Sequence, residues 1–294
     1  MSTVPYVRPL AGTGGEPEPP VELAAASEPL VSIIIPALNE ARNLPHVMAR
    51  LPEVDEVILV DGGSTDDTVD VATRLMPGIR VVRQNRRGKG NALACGFAAA
   101  TGDILVMIDA DGSTDPGEIP SFIAALRAGA DFAKGSRFTD RGGSADITRV
   151  RRLGNGFLNV LVNVLFRTRN TDLCYGYNAF WAHCLDAFDL DSTSPAPSGE
   201  DGRLWGDGFE IETLLTLRAA RARLGIVEVP SYEHLRIHGE SNLRAVSDGL
   251  RVLRTIAREW PRRRGLRRAA RRADPRADPR AAHRAAHRAA GNLR

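Results

Sequence analysis

Five short strand-like runs, each followed by a stretch compatible with a helix, constrain this chain more than any other feature. The runs are Val31–Ile35 (VSIII), Glu56–Val60 (EVILV), Ile79–Arg83, Ile104–Ile108 (ILVMI) and Ala130–Lys134. The continuous apolar run VSIII in particular suits a strand buried on both faces, as in a parallel sheet. Between the runs, helices are predicted from Asn39-Glu40 through Leu51, over Asp67–Leu75, over Asn91–Ala100, and over Pro116–Arg127 with proline in the first turn. Regular strand–helix alternation predicts an α/β fold, a mainly parallel central sheet with helices on both faces. The pattern sets one domain over 30–260. Residues 1–29 are rich in Pro, Gly and Glu and are expected to be disordered, and 261–294 form an Arg/Ala-rich basic tail.

In open α/β sheets ligands bind beyond the carboxyl ends of the strands. Asn39, Glu40, Asp61, Asp109 and Asp111 all fall at those ends. On an extended segment, Asp109 and Asp111 at i and i+2 point the same way. Two hard oxygen ligands there suit Mg²⁺ or Mn²⁺, whose shell is usually completed by water and substrate phosphates. The plainer alternative is a turn, since Asp-Ala-Asp-Gly-Ser is rich in turn residues. The shared edge favours the site, with a nucleotide diphosphate as its ligand. Lys89, in the basic glycine-rich loop Arg86–Gly90, suits phosphate before a helix, although it also reads as a surface lysine.

The second half is less regular. Val150–Phe166 is a helix with a wide apolar arc, which either packs on the sheet or also meets a membrane interface. Thr171–Trp181 is aromatic and reads as strand or pocket wall. Asp191–Asp207, rich in Ser, Pro and Gly, is expected to be a mobile loop or lid. A helix over Phe209–Arg223, a strand over Gly225–Val229 and an amphipathic helix over Leu243–Trp260 follow. Asp207, Glu210 and Glu212 are candidates for a general base, or else acids at a solvated helix start. His234 and His238, beside Pro230 and Gly239, are expected in a loop without metal. Arg151 and Arg152 read as a solvated helix face, with acceptor phosphate or lipid headgroups as the alternative.

Residues 262–294 hold twelve arginines and two aspartates, a net charge of +10. The whole chain is +3, so the remainder carries −7. Such a tail suits an anionic membrane surface; nucleic acid is not expected, because no aromatics interleave the arginines. Three cysteines without paired metal spacing fit a reducing compartment. No apolar run is long enough to span a bilayer, and the first residues lack a signal-peptide pattern. No Gly-x-Gly-x-x-Gly follows Ile35, which argues against a dinucleotide-dependent oxidoreductase.

Taken together, VSIIIPALNEARNL, VILVDGGSTDDT, NRRGKGNAL and ILVMIDADGSTDPGEIP resemble the family-two nucleotide-sugar glycosyltransferases of the GT-A fold. KGSRF, RRLGNGFLNVL, TDLCYGYNAF, GFEIET and VPSYEHLRIHGESNL extend the likeness, more loosely, to polyprenyl-phosphate sugar synthases of the dolichol-phosphate mannose synthase type. The resemblance implies that Pro36, Asn39 and Glu40 line the nucleotide pocket and that Asp61 contacts base or ribose. It implies a metal site at Asp109 and Asp111, with Ser113 too short to replace the family's third ligand. Arg137 and Arg236 match arginines that hold phosphates, and Glu212 matches a recurring glutamate. Asn242 stands where the family often has Lys, which puts one acceptor-phosphate contact in doubt.

The resulting expectation is a metal-dependent inverting hexosyltransferase. It moves a sugar from a GDP- or UDP-hexose, glucose and mannose both being open, to a polyprenyl phosphate. Its expected place is cytoplasmic, peripheral at the inner face of the cell membrane. The alternatives are a soluble glycosyltransferase acting on a small hydroxylated acceptor, and a non-catalytic nucleotide- or nucleic-acid-binding protein.

Overall fold

The apolar run from Val31 pairs on both edges, and the rest of the sheet is laid around it. The computed structural model describes residues 28–197, 202–239 and 245–272. The expectations for 1–27, for residues 198–201 of the predicted lid, for Asn242 and for tail residues 273–294 lie outside the described residues. In chain order the elements are β1 (Val31–Ala37), α1 (Leu44–Met48), β2 (Glu56–Asp61), α2 (Thr68–Leu75), β3 (Arg80–Arg83), α3 (Lys89–Ala99) and β4 (Ile104–Met107). A 3₁₀ turn at Pro116–Glu118 leads into α4 (Ile119–Arg127), followed by β5 (Phe132–Ser136), β6 (Gly143–Ser144) and α5 (Arg149–Phe166). Then come β7 (Asn178–Trp181), α6 (Leu185–Phe188), α7 (Ile211–Ala222), β8 (Ile226–Pro230), β9 (Tyr232–Glu233) and α8 (Ala245–Arg272).

The main sheet has the order β3-β2-β1-β4-β7-β5-β8. β1 lies parallel to β2 and β4, β2 to β3, and β5 to β8. β7 alone runs antiparallel, between β4 and β5. A two-stranded ribbon, β6 with β9, sits apart from it. The strand alternation divides the core. Ile33, Ile35, Leu59 and Val106 face one layer with α4, while Ile34, Ile58, Val60, Leu105 and Met107 face the layer of α3 and α7. A third cluster joins α5, α7 and α8 through Leu158, Val162, Leu217, Val252 and Ile256.

The α/β reading therefore holds, with local corrections. The helix expected from Asn39 to Leu51 shrinks to α1 behind a turn, because Pro45 fixes its start. α3 begins at Lys89 rather than Asn91, so the basic loop runs directly into the helix. β4 stops at Met107, so the strand alternation does not reach Asp109 or Asp111. The last helix continues past Trp260 into the arginine run, through Pro261 as far as Arg272. None of the described helices is long and apolar enough to cross a membrane.

Candidate functional site

Where β1 and β2 end, the loops are knitted together by side chains. Asp61, the last residue of β2, is buried and accepts a hydrogen bond from the Ser64 amide at 2.9 Å. Asn39 takes a left-handed conformation, φ 58°, which asparagine tolerates better than most residues. Its Oδ1 accepts from the Thr65 amide at 2.8 Å, and its own amide donates to Ser64 Oγ at 3.0 Å. The Glu40 amide donates to Thr68 Oγ1 at 2.8 Å. Pro36 sits beside these loops in β1, paired with Val60.

The carboxylates after β4 each meet a basic side chain from a distant segment. Lys89 Nζ lies 2.6 Å from Asp109 Oδ1 and 2.9 Å from Glu212 Oε1. Arg236 lies 2.9 Å from Asp111 Oδ2 through one nitrogen and 2.9 Å from Glu40 Oε1 through another. Asp111 Oδ1 accepts from the Ser113 amide at 2.9 Å and hydroxyl at 2.7 Å. Two three-residue ion clusters, Lys89–Asp109–Glu212 and Arg236–Asp111–Glu40, are thus joined through the two-residue step from Asp109 to Asp111.

Lys89 is set by its surroundings. Gly88 caps α3 with φ 119°, and a Cβ there would lie 2.1 Å from the Asp207 carbonyl oxygen. The Gly90 amide donates to that same oxygen at 2.8 Å. Asp207 is clamped in turn by buried Arg86, whose Nε is 2.8 Å from Oδ2. Arg86 also donates to the Ser194 carbonyl at 2.6 Å, so this part of the predicted lid is tied down. Burial disfavours the ammonium of Lys89, but Asp109 and Glu212 outweigh it, and the pKa is raised. Burial pushes the carboxyl of Glu212 up, with Lys89 partly offsetting this. Both directions hold together, because one ammonium is shared between two carboxylates.

Arg137 is placed differently from the reading that gives it to phosphate. Its guanidinium is buried and bidentate to Asp172, at 2.7 and 3.0 Å, and also meets Glu233 at 3.0 Å. Tyr175 stacks on it with the ring centroid 4.7 Å from Cζ. Two buried carboxylates hold it, so its contacts in the fold are structural. Glu210 and Glu212 are both buried, and a solvated helix start describes neither. Glu210 accepts from the Gly206 and Gly208 amides at 3.1 and 3.3 Å and serves the turn before α7. Arg151 pairs with Asp146 at 2.8 Å, and His234 and His238 flank a loop rather than a helix. Sequence reasoning overlooked Gly176, whose Cβ, if present, would lie 2.8 Å from Lys89 Nζ and 3.0 Å from Glu212 Oε1. Its only signal is a glycine between two tyrosines.

Among the described residues no three His, Cys, Asp or Glu side chains form a metal cage. The pair Asp109 and Asp111 instead fits an ion that keeps open positions for phosphate and water. Both are hard oxygen donors, and each is ion-paired with a basic side chain, Lys89 or Arg236. Chemically, the edge can hold a divalent ion and a diphosphate, with Lys89 and Arg236 supplying further positive charge.

The fold is thus an α/β sheet with an Asp-x-Asp segment, ion-paired to Lys89 and Arg236, at its carboxyl edge. The family described as glycosyl transferase family 2 matches residues 32–187, and the chain belongs to that family. An uncharacterized glycosyltransferase of Mycobacterium tuberculosis is 45% identical over 107 residues, 36% of this chain, and the match spans about half (48%) of that relative's length. The undecaprenyl-phosphate mannosyltransferase of Micrococcus luteus is 34% identical over 224 residues, 72% of this chain and 87% of that protein. Glucosyl-3-phosphoglycerate synthase from Mycobacterium tuberculosis, solved with Mn²⁺, UDP and glucosyl-3-phosphoglycerate, is similar with a TM-score of 0.60 and 26% identity. That likeness covers 80% of this chain and 81% of the solved one, and the fold is GT-A-like, as the resemblance implied.

Proposed function

We propose that this protein transfers a hexosyl group from a nucleoside diphosphate sugar to a polyprenyl phosphate, with Mg²⁺ or Mn²⁺ as cofactor, at the inner face of the cell membrane. The observation that carries this reading is the pairing of Asp109 with Lys89 and of Asp111 with Arg236 at the carboxyl edge of the sheet. A metal ion held by the two aspartates supplies Lewis-acid stabilisation of a departing diphosphate. The solved neighbour with Mn²⁺ and UDP supports that cofactor and donor class.

Asp61, Asn39, Glu40 and Pro36 line the edge where the nucleoside would lie, and the Ser64 and Thr65 contacts hold that wall in place. Lys89 and Arg236 can trade a carboxylate contact for a phosphate oxygen without leaving the site. Each is held by a second acid, Glu212 or Glu40, which keeps the cation positioned during that exchange. In the reaction an acceptor phosphate oxygen bonds to the anomeric carbon while the bond from that carbon to the diphosphate breaks. The diphosphate leaves with the electron pair, and the configuration inverts. A phosphate acceptor is already an oxyanion, so no strong base is required. Glu212, bridged to Lys89, therefore serves as a positioning residue.

The mannosyltransferase of which this chain covers 87% supports the lipid phosphate acceptor. Likeness to glucosyl-3-phosphoglycerate synthase supports a second reading, a soluble acceptor. Incubating purified protein with radiolabelled GDP-mannose, UDP-glucose or GDP-glucose, with polyprenyl phosphate or phosphoglycerate, decides between them. Label extracted into butanol is the expected result, absent with chelator. Label confined to water, dependent on the soluble acceptor, would establish the second reading.

A further inference from the structure

α5 carries an apolar face that packs against none of the described residues' core clusters. Its inner side, Leu158, Val162 and Phe166, enters the cluster with α7 and α8. Its outer side presents Val150, Leu153, Phe157, Val160 and Val164, which are between 62% and 76% exposed. Their spacing of three, four, three and four residues sets them in one stripe along the helix. From Val150 to Val164 the stripe is about 21 Å long, at about 1.5 Å rise per residue step.

Along the helix itself the charges have one sign, although Arg151 at its start is paired with Asp146 at 2.8 Å. From Arg149 to Asn170 the sequence contains Arg149, Arg151, Arg152, Arg167 and Arg169 and no aspartate or glutamate. The arginines stand at the two ends, and the stripe lies between them. Long arginine side chains can keep their heads at a charged layer while an apolar face sinks below it. A second copy of this chain suits the stripe poorly, because an antiparallel pairing would bring arginine ends against arginine ends. A bilayer surface with anionic headgroups fits both the apolar stripe and its basic ends.

The helix also has a fixed relation to the site. Its first turn follows β6, which pairs with β9, and Arg152 lies over the Phe138 ring at 5.7 Å. Phe138 lies just past the carboxyl end of β5, so the basic end of α5 borders the edge of the sheet that carries the site.

We infer that the outer face of α5 is a docking surface for an anionic lipid bilayer, lying in the headgroup–acyl boundary with the site's edge toward the lipid. This deepens the proposed reaction, which needs a lipid phosphate delivered to that edge, but the surface itself does not depend on which sugar or acceptor is used.

The test is flotation of the full chain with vesicles of phosphatidylcholine alone or with phosphatidylglycerol, comparing wild type with Phe157→Ser/Val160→Ser. Both side chains point outward, so the variant should melt like wild type. Wild type should float with the anionic vesicles, and the double variant should bind about tenfold or more weakly, given the apolar surface withdrawn. Equal binding by the variant, or no binding by wild type, overturns the inference. So does a wild-type dimer, seen by sedimentation, that the two serines dissolve without any effect on vesicles. Vesicle binding without transfer to polyprenyl phosphate would overturn the acceptor proposal instead and leave the docking surface standing.

Discussion

Lys89 Nζ lies 2.6 Å from Asp109 Oδ1, a contact between the first turn of one helix and the loop after a strand that follows it in sequence. The same ammonium meets Glu212 from the second half of the chain. One buried cation therefore binds three segments, and the acids that would face a metal ion are held ready before any ion arrives. Replacing Lys89 with Met leaves Asp109 and Glu212 without their counterion. Breaking a buried pair in this way typically costs about 3–5 kcal/mol. We expect a lowered Tm for Lys89→Met, and we expect added Mn²⁺ to raise it more than it raises the wild type, because the ion replaces the lost charge. Thermal scans with and without Mn²⁺ check both; an unchanged Tm would show that the cluster does not hold the site.

Gly176 passes so close over this cluster that even a methyl group would press on its charged tips. In Gly176→Ala the new Cβ would sit 2.8 Å from Lys89 Nζ and 3.0 Å from Glu212 Oε1, so one of the two must move. A displacement of about 1 Å at a reacting centre can cost about 10²-fold in rate. Transfer should fall by that order while far-UV circular dichroism is unchanged. Activity within twofold of wild type would mean that the Lys89–Glu212 geometry is not needed.

Arg137 separates a structural role from a phosphate-binding one. With Asp172 and Glu233 both buried against it, Arg137→Ala should lose roughly 3–5 kcal/mol of stability, as for other broken buried pairs. Arg137→Lys should recover little, since lysine cannot reproduce the bidentate contact. Urea unfolding measures the loss. If Arg137→Lys is as stable as wild type yet inactive, Arg137 belongs to the reaction and not to the scaffold.

The parallel part of the sheet was legible in the sequence because its central strands β1, β2 and β4 are largely apolar and are spaced by helical stretches. β7 was not legible as a central antiparallel strand, since nothing local in Asn178–Trp181 says that it will insert between β4 and β5. The end of α8 was hidden by Pro261 and the arginine run, both of which read as a stop. In the site, Asp109, Asp111, Lys89, Glu212 and Arg236 could each be picked out from their motifs. Who would pair with whom could not, because the partners of Arg137 lie 35 and 96 residues away. Residue type gives the capacity for an ion pair, and only the tertiary fold assigns it.

The last prediction concerns acid stability, away from the site. Glu56 lies at the start of β2, where burial works to raise its pKa. Hydrogen bonds from the Ser32 hydroxyl, the Thr101 amide and hydroxyl and the Arg80 guanidinium outweigh that, and the pKa is lowered. The folded state therefore holds this carboxylate ionised more strongly than the unfolded chain does. Its contribution is complete above the ordinary glutamate range, near pH 4.5, and is lost as pH falls through the lower folded value. Glu56→Gln removes the titration together with the charge-assisted bonds. The variant should be less stable at pH 7, and the gap should narrow as pH falls below about 4.5, where the wild type itself is protonating. Urea midpoints from pH 7 down to pH 3 read this directly, and a gap that stays constant across that range would show that Glu56 does not act through its charge.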